Sequence, residues 1–135
     1  MQYPAKVLIA WGEAISGNRP LRDWLMKHGY EELGMACHAL HHVESSRTWL
    51  MANGHQRIMA MIRGAEGDPN AILWLQRFGF NYLADVASGA DNDDEAVKRL
   101  LKANQKEWAG IALKLRFVKN QLEDDNNDVH RISPV

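Results

Sequence analysis

The apolar and polar positions of this chain repeat with a period of 25 residues. Trp24, Trp49 and Trp74 are each followed by a leucine, and the next step of the same length reaches Arg99 and Leu100. A fixed interval of this size is typical of proteins built from stacked supersecondary units. The pattern therefore predicts a repeat protein in which the leucine of each unit occupies a core position.

A turn is predicted four residues after each of these leucines. The residues there belong to the two types that most readily accept a left-handed backbone: Gly29, Gly54, Gly79 and Asn104. Such a residue just past a short apolar segment is a common helix stop. A second apolar segment of about ten residues follows at once, and connections this short join antiparallel neighbours. Each unit is therefore predicted to be a helical hairpin.

Capping residues mark the start of the first helix in most units. Asn18 and Asp68 each offer an N-cap shortly before a proline, and Asp93, Asp94 and Glu95 give a third unit an acidic first turn. The second unit has Val43 at the equivalent place, which cannot cap through its side chain. The sequence therefore predicts that Ser45 or Ser46 caps the helix of that unit.

Helices of about ten residues are marginal in water, so each hairpin needs its neighbours to bury its apolar face. The sequence predicts an all-α fold, an α-solenoid of about four and a half stacked hairpins in a right-handed array with a longer C-terminal capping helix. One domain is predicted over residues 1–123, with a half repeat at 5–18. The full repeats are predicted at about 19–43, 44–68, 69–93 and 94–118, and an acidic, flexible tail at 124–135.

Composition narrows the functional classes. The chain has 135 residues, 46% of them apolar, which suits a single folded domain. Its formal net charge of -1 provides no general attraction for nucleic acid. Cys37 is the single cysteine, so no internal disulfide can form, and the apolar run from Val7 to Trp11 is too short to span a membrane. A cytoplasmic protein that binds neither nucleic acid nor membrane is expected.

Short motifs around the turns resemble those of a known repeat family. The segment Asn53–Ile58, followed by an apolar run and then Gly64–Asp68, is similar to the second half of an ankyrin repeat, and so is Ser88–Asn92. The similarity covers the helix-turn-helix portion of about three units. No unit carries the Thr-Pro-Leu-His opening, and 25 residues leave no room for the β-hairpin of the ankyrin period of about 33. The chain resembles an ankyrin-like array of shortened repeats.

The resemblance implies a non-enzymatic scaffold that binds another protein and needs no cofactor. Recognition is expected at the variable positions beside the turns, which stacking would align on one side of the array. The candidate partner-binding residues are Arg22, His28, Tyr30, Arg47, Asn53, His55, Phe78 and Phe80. Homo-oligomerisation through the tryptophan side of the stack is a further possibility.

The tryptophans allow two interpretations. Periodic aromatic residues in a repeat protein most often fill the core between stacked units, and we expect this of Trp24, Trp49 and Trp74. If they are partly exposed instead, the aligned indoles would form an aromatic surface suited to a peptide. His55 follows the turn glycine and is expected to have a structural role there.

A histidine cluster supports an alternative function. His38, His41 and His42 follow Cys37 closely, and on one helix His38 would lie near both other histidines. Imidazole and thiolate groups at such spacing could bind zinc or a similar metal, as in a small metal-binding protein or metalloenzyme. In the repeat, Cys37 is equivalent to Ile62, Ala87 and Ala112. This small apolar position favours a buried structural cysteine.

Overall fold

The computed structural model describes residues 2–132 of the chain. These residues form nine α-helices joined by short turns, and they contain no β-strand. The all-α prediction is confirmed. The helices are α1 (Ala5–Ile15), α2 (Arg19–Lys27), α3 (Glu31–Leu40), α4 (Glu44–Ala52), α5 (Gln56–Ala65), α6 (Pro69–Arg77), α7 (Asn81–Ala90), α8 (Asp94–Lys102) and α9 (Lys106–Ile132).

The helices follow the 25-residue period. The even-numbered helices begin at residues 19, 44, 69 and 94, and the odd-numbered helices α3, α5, α7 and α9 begin at 31, 56, 81 and 106. One leucine of each even-numbered helix is completely buried, as its position in the period predicts. These leucines are Leu25, Leu50, Leu75 and Leu100.

Residues with a left-handed backbone conformation follow the helices at two sets of equivalent positions in the period. The predicted set follows the even-numbered helices, and its φ angles lie between +61° and +93° at Gly29, Gly54, Gly79 and Asn104. A second set, which we did not predict from the sequence, follows the odd-numbered helices. Its members also have positive φ angles: Gly17, His42, Gly67 and Asn92. Both ends of each helical hairpin are therefore closed by a left-handed turn.

Capping side chains are present in three of the four even-numbered helices, and they include both predicted N-caps, Asn18 and Asp68. The side chains of Asn18, Asp68 and Asp93 accept hydrogen bonds from backbone N–H groups in the first turns of α2, α6 and α8. The prediction for the second unit is wrong, because α4 begins at Glu44 and places both serines inside the helix. Val43 is the N-cap residue, and its side chain makes no capping hydrogen bond.

Supplying the missing cap should stabilise the protein. We expect Val43→Asp to raise the free energy of unfolding by about 0.5–2 kcal/mol, since an aspartate there can accept a hydrogen bond from the first turn of α4. Val43 is 39% exposed, so little apolar contact is lost. Urea unfolding measures the change, with Val43→Ala as the control. An aspartate variant no more stable than the alanine variant would contradict the assignment.

The helices pack in a regular order. Each even-numbered helix contacts the odd-numbered helix before it and the one after it in the chain. The odd-numbered helices also contact one another in chain order, from α1 to α9. No helix in the described part of the chain is both long and apolar enough to cross a membrane. The handedness of the array stays a prediction.

The first and last helices are in contact, which an open stack with a capping helix does not predict. Trp11 of α1 meets Trp108 of α9 edge to face, with ring centroids 6.1 Å apart. The Nζ atom of Lys114 lies 3.3 Å from Oε1 of Glu13. A Cβ atom on Gly12 would lie only 2.9 Å from Cδ of Lys114, so the absence of a side chain permits this approach. Helix α9 is therefore the last of the described helices and also contacts the first, α1.

Helix α9 is longer than the sequence indicated. It continues through the predicted boundary at residue 123 as far as Ile132, so most of the acidic segment is helical. The section just before that boundary is anchored by polar contacts, since Lys119 is buried and its Nζ donates to Oδ1 of Asp91 at 3.0 Å. Residues 133–135 of the predicted tail lie outside the described residues, and the flexibility of the tail stays a prediction.

Candidate binding surface

Aromatic side chains cluster at the C-terminal ends of α2, α4 and α6. The indole of Trp24 stacks on the His28 ring, with centroids 4.5 Å apart, and Trp49 stacks on His55 at 5.6 Å. In α6 the Trp74 ring lies 4.9 Å from that of Phe78. We call the following residues the aromatic turn surface: Trp24, His28, Trp49, Asn53, His55, Trp74 and Phe78.

The tryptophans are not core residues in the way that we expected. Trp24 is 43% exposed, whereas Trp49 and Trp74 are half-buried at the edge of the core. The reason lies in helix geometry, because successive residues of an α-helix point about 100° apart. In these three units the leucine lies at the centre of the interface between the even-numbered helix and its neighbours. The tryptophan before it points toward the edge of that interface. The second interpretation, a partly exposed aromatic surface, is the one that the structure favours.

Three candidate residues occupy the C-cap positions of α2, α4 and α6 and are exposed. Nδ1 of His28 lies 2.8 Å from the carbonyl oxygen of Trp24, and Nδ2 of Asn53 donates to the carbonyl oxygen of Trp49 at the same distance. These contacts satisfy carbonyl groups at the helix end and restrain the two polar side chains. Phe78 presents a ring that is 58% exposed.

The candidates Tyr30, His55 and Phe80 lie closer to the core than these C-cap residues, each just before an odd-numbered helix. All three are half-buried. Tyr30 and Phe80 support the exposed residues, whereas His55 stacks on Trp49 and belongs to the aromatic turn surface. The Phe80 ring has the guanidinium carbon of Arg57 5.3 Å from its centroid. Tyr3 packs edge-on against Tyr30, and sequence reasoning missed it although it stands one period before His28.

The two candidate arginines have structural contacts. Arg47 donates to the carbonyl oxygen of Ala39 and forms an ion pair of 2.8 Å with Glu66, and only 14% of its side chain is exposed. These partners lie at the opposite end of the hairpins, so the structure does not bring Arg47 to the aromatic turn surface. Arg22 is half-buried and pairs with its neighbour Asp23 at 3.3 Å.

The histidines of the alternative metal site do not share one helical face. Helix α3 ends at Leu40, so His41 is its C-cap and His42 lies in the following left-handed turn with φ of +63°. The His42 ring lies close to Arg47 and to Glu66. Burial and the nearby Arg22 guanidinium lower the pKa of His38. Among the side chains that the structure describes, residues 2–126, no three His, Cys, Asp or Glu groups are arranged to hold a metal ion.

Cys37 is a buried thiol, and we expect it to be unreactive in the folded protein. Burial raises its pKa to about 12, and its Sγ donates a hydrogen bond to the carbonyl oxygen of Leu33 at 3.4 Å. At pH 8 the thiolate would make up roughly 10⁻⁴ of the population. Native protein should react far more slowly with a thiol reagent such as Ellman's reagent than protein unfolded in urea. Equal rates would contradict the buried assignment.

Comparison with known families, curated proteins and solved structures does not identify the chain. No protein family matches it, and no match is found among the curated proteins or the solved structures. The ankyrin-like resemblance therefore stays a prediction.

Proposed function

We propose that the protein is a non-enzymatic protein-protein interaction module built from ankyrin-like helical repeats, and that its aromatic turn surface binds the partner. The observation that carries the proposal is the repeated placement of a half-exposed tryptophan beside a second ring at the ends of α2, α4 and α6. Exposed aromatic clusters rimmed by polar groups are a common feature of protein interfaces.

Restraint of these rings also supports a binding role. The stacked His28 and His55 limit the movement of the indoles, and the hydrogen bonds of His28 and Asn53 hold the turn side chains in place. A side chain that is already ordered loses less conformational entropy when a partner binds. Tryptophan is also among the residue types that most often dominate binding free energies.

The proposed architecture is a right-handed solenoid of helical hairpins that curves until its two ends meet. Equal spacing of the helices supports this stacking, since equivalent residues then recur on one side of the array. The partner would contact several units at once through their turns. Self-association through the same surface is the alternative form of this proposal, and light scattering at several protein concentrations distinguishes it from binding to a different protein.

A matched pair of substitutions tests the proposed surface. Phe78 and Leu73 are both 58% exposed, but Phe78 belongs to the aromatic turn surface and Leu73 lies in the middle of α6. Proteins retained from the native host by the wild type should also be retained by Leu73→Ser and lost with Phe78→Ser. With the purified partner, we expect Phe78→Ser to weaken binding by about tenfold or more, as for other interface aromatics.

Two results would overturn the proposal. One is a partner whose affinity is the same for the wild type, Phe78→Ser and Trp24→Ser. The other is equal loss of binding with Leu73→Ser, which would indicate a general effect on the fold. Circular dichroism of each variant, compared with the wild type, separates loss of binding from loss of structure.

A further inference from the structure

The contact between α1 and α9 lacks the covering helix that the other neighbouring pairs of odd-numbered helices have. Helix α2 packs across α1 and α3, α4 across α3 and α5, α6 across α5 and α7, and α8 across α7 and α9. Within residues 2–132, no helix lies across α9 and α1 in the same way. An open groove of about 290 Å³ lies there, and its apolar part is formed by Leu8, Ile9, Gly110 and Ile111.

Residues equivalent to Ile9 are buried in the other odd-numbered helices, whereas Ile9 itself is exposed. Ile9 of α1 is 58% exposed. The residues at the same place in the other odd-numbered helices are all buried: Gly34, Met59, Ala84 and Ala109. The cover at this place comes from an even-numbered helix, since a Cβ atom on Gly34 would clash with the Met26 side chain of α2. Ile9 lacks such a cover because no helix precedes α1 in the described chain.

On the α9 side of the groove, a charged lysine occupies a position that holds a small buried residue in the other odd-numbered helices. Ala39, Gly64 and Gly89 are buried at one set of equivalent positions, and the next member of that set is Lys114. A Cβ atom on Gly64 would lie 2.6 Å from Ile72 of α6, so small residues at this place admit a covering helix. The Lys114 side chain is 37% exposed, and its ammonium group lies beside Glu13 at the edge of the groove.

The covering helices indicate which residues a ligand needs. Each even-numbered helix has nine residues, which we number from its first residue. Position 4 lies over the set of equivalent residues that contains Lys114, as Ile72 does over Gly64. Position 8 lies over the set that contains Ile9, as Met26 does over Gly34. Position 7 is the buried leucine in all four helices. Position 4 of a bound helix would face the Lys114 ammonium group in place of a glycine, so a carboxylate that shares this ammonium group with Glu13 fits there better than an aliphatic side chain.

We propose that the groove between α1 and α9 binds one amphipathic helix of a protein partner, with Asp or Glu at its position 4, Leu at position 7 and Met or Leu at position 8. The acidic residue pairs with Lys114, and the two apolar residues pack over the exposed Ile9 and against the apolar lining of the groove. Apolar residues at such helical spacing are typical of helix-in-groove recognition. This site is separate from the aromatic turn surface, so neither proposal depends on the other.

A peptide made from this chain serves as the probe. It copies residues 43–54, which hold a leucine at position 7 and Met51 at position 8, and it carries Arg47→Glu at position 4. A hydrocarbon cross-link in place of the exposed Glu44 and Thr48 keeps this short segment helical. A second peptide is identical but keeps Arg47. Fluorescence anisotropy with a dye on either peptide measures its affinity for the intact protein.

Two protein variants, with two control variants, identify the groove. Ile9→Glu should weaken binding of the acidic peptide by about tenfold or more, whereas Leu73→Glu, a change at an equally exposed residue outside the groove, should leave it unchanged. Lys114→Glu should reverse the preference, with loss of affinity for the acidic peptide and a gain for the peptide that keeps Arg47. Phe78→Ser should bind the acidic peptide as the wild type does, which separates this site from the aromatic turn surface.

Several results would overturn the proposal. They are absence of binding at millimolar peptide, equal affinity of the wild type and Ile9→Glu, and an unchanged preference in Lys114→Glu. A wild-type dimer that Ile9→Glu converts to a monomer would assign the groove to a second copy of the chain instead. Because Ile9 and Lys114 are both partly exposed, these variants should fold, and circular dichroism checks that they do.

Discussion

Replacing Leu50 with alanine is expected to lower the free energy of unfolding by about 2–5 kcal/mol. The Leu50 side chain is completely buried where α4 meets its odd-numbered neighbours. Truncation removes apolar contacts and leaves a cavity that rigid neighbouring helices fill only in part. The melting temperature should fall by on the order of 10 °C, as measured by calorimetry or circular dichroism.

The next residue in the same helix is the control. Met51 is 41% exposed, so Met51→Ala should change the melting temperature far less than Leu50→Ala. The period also predicts losses of the same order for Leu25→Ala and Leu75→Ala, because both leucines are completely buried at equivalent positions. A melting temperature that Leu50→Ala leaves unchanged would mean that the leucine positions do not form the core.

Gly54→Val is expected to destabilise the protein by about 1–3 kcal/mol through backbone strain alone. Gly54 has φ of +81°, a conformation that a β-branched residue rarely adopts. A Cβ atom at this place would lie more than 4 Å from every heavy atom outside the neighbouring residues, so we attribute the expected loss to backbone strain. Gly54→Asn should be milder, since Asn104 already adopts φ of +61° at the equivalent position. Urea unfolding of both variants measures the difference.

A neighbouring helical residue provides the control for the valine itself. Ala52→Val introduces the same side chain at an exposed position of α4, where only the modest helix propensity of valine matters. We expect its effect to be well below that of Gly54→Val. If Val and Asn were tolerated equally at residue 54, the left-handed turn would be assigned wrongly.

The local structure of the repeat could be predicted from particular residues. Gly29 and Asp68 mark a turn and a helix start through their own conformational and hydrogen-bonding preferences, which act within a few residues. The prediction failed for Ser45 and Ser46, because helix α4 begins where the spacing of the repeat places it even without a capping side chain. The left-handed turn at His42 was missed because histidine carries no such signal, although Gly17 and Gly67 share its position.

The candidate surface could be predicted only in part. His28, Asn53 and Phe78 are exposed beside the turns as expected, since equivalent positions of a repeat have equivalent surroundings. A role of Arg47 in partner binding stays a prediction, but its side chain turns away from the aromatic turn surface to Glu66, 19 residues later in the same hairpin, and to the carbonyl oxygen of Ala39 in the preceding one. Position in the period therefore indicates exposure, whereas the direction of a long side chain depends on contacts with other helices.

By itself the sequence determined the repeat: the 25-residue period, the short helices, the turns at Gly54 and its equivalents, and the buried leucines. These features depend on interactions within one unit or between neighbouring units. Only the tertiary structure decided that α1 meets α9, since Glu13 and Lys114 are 101 residues apart and their contact depends on the packing of all the helices between them. Ile9 is exposed because, in the described part of the chain, no even-numbered helix lies across α1 and α9.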